Sequence, residues 1–423
     1  MYVKKIRMIQ AGTLISLLLM TYNYYRYYKN SPDKRLKSAE FAKESMNTLH
    51  RKIRNEFCVP EQNTLNVIGP KNEELKTTRA EDFETKNTTT ITKYVVMTTS
   101  TPDPTIDGDV SWSYAFYLPV TVQVYAKLNF KSIVVIAGNY SAWVTNPVLR
   151  VIHEHLRRDP NVKLIILETT HKLQALIAMT SRLLVAYFVP GLKPDDIIMT
   201  ADADLWLFEQ RGRDYVKYNS SSEILITNAF CCGTFDYGGI KIPHYAMCHI
   251  SMTMDRWKDV MKVDNYFNGV NNASKIKYEE TNQVKGIDQI IHRINYDNFG
   301  AIVNSEITTA NYRDERLISQ KIYEYQKSSN VPLKKKAPLT RRDRIDRNNW
   351  PRDSNFQVND KIDAYLPRVS LSFDGLSKIV GLMKNIFKGE QLDHVLKYAM
   401  DVISLEEHHY ELWPLWSYLN KIK

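Results

Sequence analysis

Asp202-Ala203-Asp204 places two carboxylates two positions apart, directly after the apolar run Ile197-Ile198-Met199 and before Leu205-Trp206-Leu207. Such a run reads as a buried parallel strand, and the carboxylates then stand at its carboxyl end, where open α/β sheets bind ligands. On a non-helical segment both can turn to one hard divalent cation, which keeps positions open for phosphate oxygens. Further along, Asp288-Gln289 opens an apolar helical stretch. A carboxylate there can take a proton from an attacking hydroxyl, or simply complement the helix dipole. Arg341-Arg342-Asp343-Arg344-Ile345-Asp346-Arg347 concentrates guanidinium forks that match phosphate geometry. It can close over a diphosphate, carry an anionic acceptor, or be a basic loop. No glycine-rich dinucleotide or Walker-type loop follows the first strand.

An alternation of strands and helices must position these groups. Tyr94-Val95-Val96-Met97 predicts a first strand ending in Thr98-Thr99-Ser100, followed by a helix from about Tyr114 to Leu128. Ile133 to Ile136 is a second strand, and Pro147 opens a helix to Arg158, as proline does in a first turn. Leu164 to Leu167 is a third strand with Glu168 at its end. Gln174 to Phe188 has helical periodicity and carries Arg182, for which a diphosphate contact and a surface position are both open. Strands alternating with helices predict an α/β fold, a doubly wound and mostly parallel sheet flanked by helices. Ala246 to Met252 reads as a strand running into a helix over Arg256 to Met261, with His244 and His249 beside it. Lys334 to Asn349 reads as a basic linker, and helices follow over Leu376 to Phe387 and Leu392 to Ile403.

The chain has 423 residues, 43% hydrophobic and 25% charged, with a net charge of +10. That is a globular composition with room for a large core, and its basic excess asks for an anionic partner. Acidic residues interleave the basic run and few aromatics accompany it, so nucleic acid is not expected as a partner. Lys4, Lys5 and Arg7 precede an apolar stretch from Met8 to Met20, extended by tyrosines to Tyr28. With no small-residue cleavage site after it, the stretch reads as a retained signal anchor into a membrane. The expected organisation is a cytoplasmic tail at 1–7, an anchor at 8–28 and a stem at 29–90. A catalytic α/β domain follows at 91–325, and the basic linker and helical part at 326–423 complete it. Arg26, Lys29, Lys34, Arg35 and Lys37 follow the span, against the usual charge bias. A lumenal catalytic part rests instead on the sequons at Asn87, Asn139, Asn219 and Asn272. Of Cys58, Cys231, Cys232 and Cys248, either Cys231 or Cys232 is expected to pair with Cys248.

Asp202 with Asp204, the later Asp288-Gln289 and the layout of tail, anchor and stem resemble the GT-A-fold, nucleotide-sugar-dependent glycosyltransferases. The resemblance covers about Tyr94 to Asn295. It implies a type II Golgi or endoplasmic reticulum enzyme that moves a sugar from a nucleotide-diphosphate donor to a glycan, protein or lipid acceptor. UDP is the commonest nucleotide in that family, and Mn2+ or Mg2+ the implied cofactor. It places the metal on Asp202 and Asp204, with a late histidine, here His409 beside His408, as a further ligand. Thr98, Thr99, Ser100, Glu168, Arg182, Asp202 and Arg347 would hold the donor and Asp288 would act on the acceptor. A nucleotidyl or phosphoryl transferase and a catalytically silent scaffold subunit are the alternatives.

Overall fold

The strands are built from β-branched and aliphatic residues that alternate between two buried faces. In β1 (Lys93–Ser100), Val95 and Met97 enter one apolar core while Tyr94 and Val96 enter the other. The same division runs through β2 (Lys131–Ala137), β3 (Val162–Leu167) and β4 (Ile197–Thr200). A sheet covered on both sides needs such continuous apolar strands. In this computed structural model, residues 91–102, 110–169, 173–218, 223–268, 277–278, 283–299, 312–347, 350, 358–367 and 373–420 are described. They belong to one compact unit, Asn87–Lys423. The expected tail, anchor and stem, with Asn87, lie outside the described residues, as do Asn219 and Asn272. Among the described residues no helix is long and apolar enough to cross a membrane.

The remaining strands are β5 (Leu205–Leu207), β6 (Ile224–Ile226), β7 (Thr234–Tyr237), β8 (Ile240–Pro243), β9 (Ile250–Thr253), β10 (Lys277–Tyr278), β11 (Gln283–Lys285), β12 (Leu333–Lys335), β13 (Arg344–Ile345) and β14 (Asp363–Tyr365). Nine of the fourteen strands among the described residues form a mixed, mostly parallel sheet in the order β10-β11-β3-β2-β1-β4-β9-β6-β12. β3, β2, β1 and β4 are mutually parallel, and β9 runs antiparallel to both β4 and β6. The carboxyl ends of β11, β3, β2, β1, β4, β6 and β12 therefore share one edge with the start of β9. A second sheet, β13-β14-β5, folds over that edge, and β7 pairs with β8 in a hairpin.

On one face the helices Val110–Lys127 and Pro147–Arg158 pack with the C-terminal helices Phe373–Ile386 and Gly389–Asn420, through Phe116, Ile152, Leu382 and Tyr398. On the other, Gln174–Ser181, Val185–Phe188, Met254–Met261, Ile287–Phe299 and Arg313–Ser328 pack through Ile177, Trp257, Ile291 and Ile318.

Several local expectations are corrected. Gln174 to Phe188 forms two helices rather than one, because the chain turns at Arg182 to Leu184. The strand expected from Ala246 begins only at Ile250. Before it His249 adopts a left-handed conformation, with φ at 62°, which no strand residue has. The basic linker contains β12, which joins the main sheet, and β13, which pairs with β14. Cys231 is bonded to Cys232, and Cys248 is a free, buried thiol. Cys248 packs under β5 beside Ala246 and Leu205, while the exposed pair lies in the loop after β6. Burial pushes the Cys248 thiol up to about 12, so it holds its proton at neutral pH.

Candidate functional site

The turn after β4 is fixed by its backbone before its carboxylates act. Ala201 donates to the Val96 carbonyl at 2.9 Å, and Leu366 donates to the Asp204 carbonyl at 2.8 Å. Thr121, on the helix Val110–Lys127, donates its hydroxyl to the Ala203 carbonyl at 2.6 Å and accepts from the Trp206 indole at 2.8 Å. Ala203 is 3% exposed and fills core space between the carboxylates. Buried backbone groups paired in this way hold Asp202 and Asp204 where the sheet edge opens.

Each carboxylate meets a guanidinium. Arg182 donates from Nη1 to Asp202 at 2.7 Å and from Nε to Asp314 at 3.0 Å, so one buried arginine joins two acids. Arg182 is 8% exposed, which removes the surface reading of it. Burial works to raise the Asp202 pKa, but Arg182, ahead of the Tyr365 hydroxyl, outweighs it and holds the carboxyl below its ordinary range. The Tyr365 hydroxyl donates to the other oxygen of Asp202. Arg347 approaches Asp204 at 3.1 Å and lies over the Tyr365 ring at 4.5 Å, with Arg344 over the same ring at 4.9 Å. Arg344 is in turn gripped by Asp363, with its Nε at 2.7 Å and Nη2 at 2.5 Å. Two stacked arginines are thus carried over the sheet edge on β13, β14 and the residues just beyond β13. Behind them His249 shares a 2.7 Å hydrogen bond with the Tyr125 hydroxyl.

The other expected site residues spread along the same edge. Thr98, Thr99 and Ser100 end β1, with Thr99 buried and its neighbours half-buried. Glu168 follows β3, accepts from the Tyr140 amide at 3.0 Å and donates its own amide to Val284. Asn139 is exposed at the end of β2 and caps the next helix by accepting from the Ser141 amide at 2.7 Å. Asp288 lies in the first turn of the helix after β11. β11 itself is four strands from β4, and this helix packs against Gln174–Ser181, where Asn295 donates to the Thr180 hydroxyl at 3.1 Å. His409 falls in the helix Gly389–Asn420, and its side chain is outside the described residues.

Sequence reasoning missed Asp314, Tyr365, Asp363 and the role of His249. Asp314 and Glu315 precede the apolar period Leu317, Ile318, Ile322, so an acidic helix start was legible there. Nothing in the short Asp363-Ala364-Tyr365 run announces that it pairs with β5.

The donor set of Asp202 and Asp204 is of the type that magnesium or manganese takes, hard carboxylate oxygens. Among the described residues no three His, Cys, Asp or Glu side chains converge on one point. An ion seated at Asp204 would have to share that carboxylate with Arg347 or displace it.

No family model matches the chain, and no curated protein matches it in sequence. Among solved structures it is similar to the galactosyltransferase LgtC in complex with donor and acceptor sugar analogues. The identity is 11% and the TM-score 0.33, over 73% of this chain and 95% of that one. It is also similar to the apo form of the glycosyltransferase GlyE of Streptococcus pneumoniae TIGR4, at 12% identity and a TM-score of 0.26. That match covers 76% of this chain and 64% of GlyE, less than two thirds of its length. A third is the 2-C-methyl-D-erythritol 4-phosphate cytidylyltransferase of Francisella tularensis, at 13% identity and a TM-score of 0.23, over 52% of this chain and 99% of that one. Identity and superposition at this level transfer neither activity nor residue roles.

Proposed function

We propose that the protein is a GT-A-like glycosyltransferase that uses a nucleotide-diphosphate sugar. One observation carries the reading: the two carboxylates of Asp202 and Asp204 stand at the carboxyl end of β4, under guanidiniums, on the edge where the parallel strands end. A crevice of this kind suits a ligand with dense negative charge beside a polar, uncharged sugar. Breaking the anomeric C–O bond adds charge to the departing diphosphate, and fixed positive groups there stabilise that charge. Arg347, partly exposed and on the basic segment, is placed to receive a phosphate oxygen. Thr98 to Ser100 and Glu168 line the donor half of the same edge. Asp204 with Asp202 would hold Mn2+ or Mg2+, which supplies a Lewis acid for the leaving phosphate. UDP is the nucleotide to try first. Membrane anchorage by residues 8–28, with the catalytic part in the Golgi or endoplasmic reticulum lumen, is proposed from the apolar stretch and the sequons.

The test is a panel of nucleotide sugars, with released and bound nucleotide measured in manganese and again in chelator. One donor should be hydrolysed and the chelator should suppress it. Asp204→Asn should lower that rate by on the order of 10²-fold or more while the protein stays folded. A folded wild-type protein that binds no donor would sink the reading. Binding without turnover would move it to the catalytically silent alternative.

A further inference from the structure

The first turn of the helix Arg313–Ser328 faces two ways. Asp314, 1% exposed, turns inward to Arg182 and through it to Asp202. The next residue, Glu315, turns to His244, and its Oε2 comes within 3.1 Å of the imidazole Nε2. One helical turn therefore links the Asp-x-Asp pair to an imidazole paired with a carboxylate. The pair is held in place from several directions. Glu315 accepts from the Met247 amide at 3.3 Å, and Ser319 accepts from the Tyr245 amide at 2.8 Å. The His244 amide donates to the Gly233 carbonyl at 2.9 Å. The contacts of Met247 and Tyr245 fasten the segment after β8 onto the helix, and that of His244 ties it to the loop before β7.

The carboxylate flanks the imidazole on its Nε2 side. Glu315 Oε2 and His244 Nε2 are both buried and face each other without the alignment of a hydrogen bond. Phe235 and Tyr312 present ring edges or faces to the imidazole at centroid distances of 5.6 Å and 6.1 Å, near perpendicular. Tyr312 is 59% exposed and sits at a φ of 85°, a conformation that costs a tyrosine energy and recurs at ligand sites. Its ring is a flat amphipathic surface, on which the apolar face of a sugar can lie.

We propose that His244, oriented by Glu315, is the base that takes the proton from the acceptor hydroxyl, and that Tyr312 is the surface against which the acceptor sugar packs. The assignment rests on the glycosyl-transfer reading and names the acceptor half of that site. As the hydroxyl oxygen bonds to the anomeric carbon, its proton passes to a ring nitrogen of His244. The C–O bond to the diphosphate breaks with its electron pair on the phosphate oxygen. The imidazolium formed is stabilised by Glu315 and returns its proton to solvent. This role was expected of Asp288; His244 is the group joined to Asp202 through the turn Asp314-Glu315 and Arg182.

The experiment uses the full chain and the donor found in the nucleotide-sugar panel, with water as the acceptor and released nucleotide as the readout. His244→Ala should lower kcat by roughly 10²- to 10⁴-fold. The dissociation constant of the donor's nucleoside diphosphate should stay within about threefold of wild type, as a group absent from ground-state binding requires. Added imidazole should restore part of the rate, which a merely structural histidine would not allow. If the alanine variant does not fold, His244→Gln replaces it, with the same loss of turnover and intact nucleotide binding expected. Normal turnover in either folded variant, or a loss of turnover matched by loss of nucleotide binding, overturns the assignment and leaves the transferase reading standing. A wild-type protein that binds no nucleotide overturns both.

Discussion

The imidazole of His249 is 1% exposed, touches the Tyr125 hydroxyl and faces Asp202 from beneath the site. Burial, reinforced by Arg344, lowers its pKa to about 3, against ~6.5 in an unfolded chain. As pH falls below about 6.5 the unfolded chain takes up this proton first, so stability is lost between about pH 6.5 and 3 and is complete above that window. The loss is on the order of 1.4 kcal/mol per pH unit at its steepest. His249→Gln should flatten that limb when urea midpoints are compared between about pH 7 and 4. An unchanged slope would assign the acid sensitivity to the carboxylates instead. The sequence named Asp202, Asp204, Arg182 and Arg347 because residue type and strand context carry that information. It could not name Asp314 or Tyr365 as their partners, because those pairs join residues more than a hundred positions apart.

At the scale of elements, the long apolar strands and the Pro147 helix follow from local pattern, while the short ones do not. β12, β13 and β14 have two or three residues each, too few to show a period of two. Only their partners β6 and β5 make them strands, and this turned an expected linker into the support of Arg344 and Arg347. Gly138 shows the same dependence at the end of β2. Its φ is +146°, and a Cβ there would fall 2.0 Å from the Thr101 hydroxyl oxygen. That oxygen already accepts from the Trp143 indole at 2.9 Å, while Gln174 donates to the Thr101 carbonyl at 2.8 Å. Gly138→Ala should therefore cost roughly 2–5 kcal/mol through strain and overpacking. Denaturant unfolding checks it, and a cost below about 1 kcal/mol would mean the β1 and β2 ends yield easily.

Among the described residues, the two large cores lie on opposite faces of the nine-stranded sheet, and the C-terminal helices complete one of them. Ile379, Leu382, Met383, Phe387, Tyr398 and Val402 are buried there, and the Tyr398 hydroxyl donates to the Phe116 carbonyl at 2.7 Å. Ending the chain before Phe373 should uncover this face of the helices Val110–Lys127 and Pro147–Arg158. Since Thr121 on the first of these holds the Asp-x-Asp turn, the site should suffer with the core. The expected signs are dye binding to exposed apolar surface and loss of a cooperative thermal transition. A truncated chain that melts cooperatively would make those helices an accessory layer.

By itself the sequence determined the α/β alternation, the strand that delivers Asp202 and Asp204, and the basic segment that matches an anion. Those features are local: apolar runs, a proline at a helix start and charge density are each written within a few residues. The tertiary structure alone decided that Arg182 bridges Asp202 and Asp314, that Arg347 rests on Asp204, that Cys231 bonds Cys232 and that Glu315 meets His244. All but the disulfide join distant parts of the chain, and the disulfide leaves Cys248 sealed in the core beside Ala246 and Leu205. Pairings of that kind exist only once the sheet brings its strand ends to one edge.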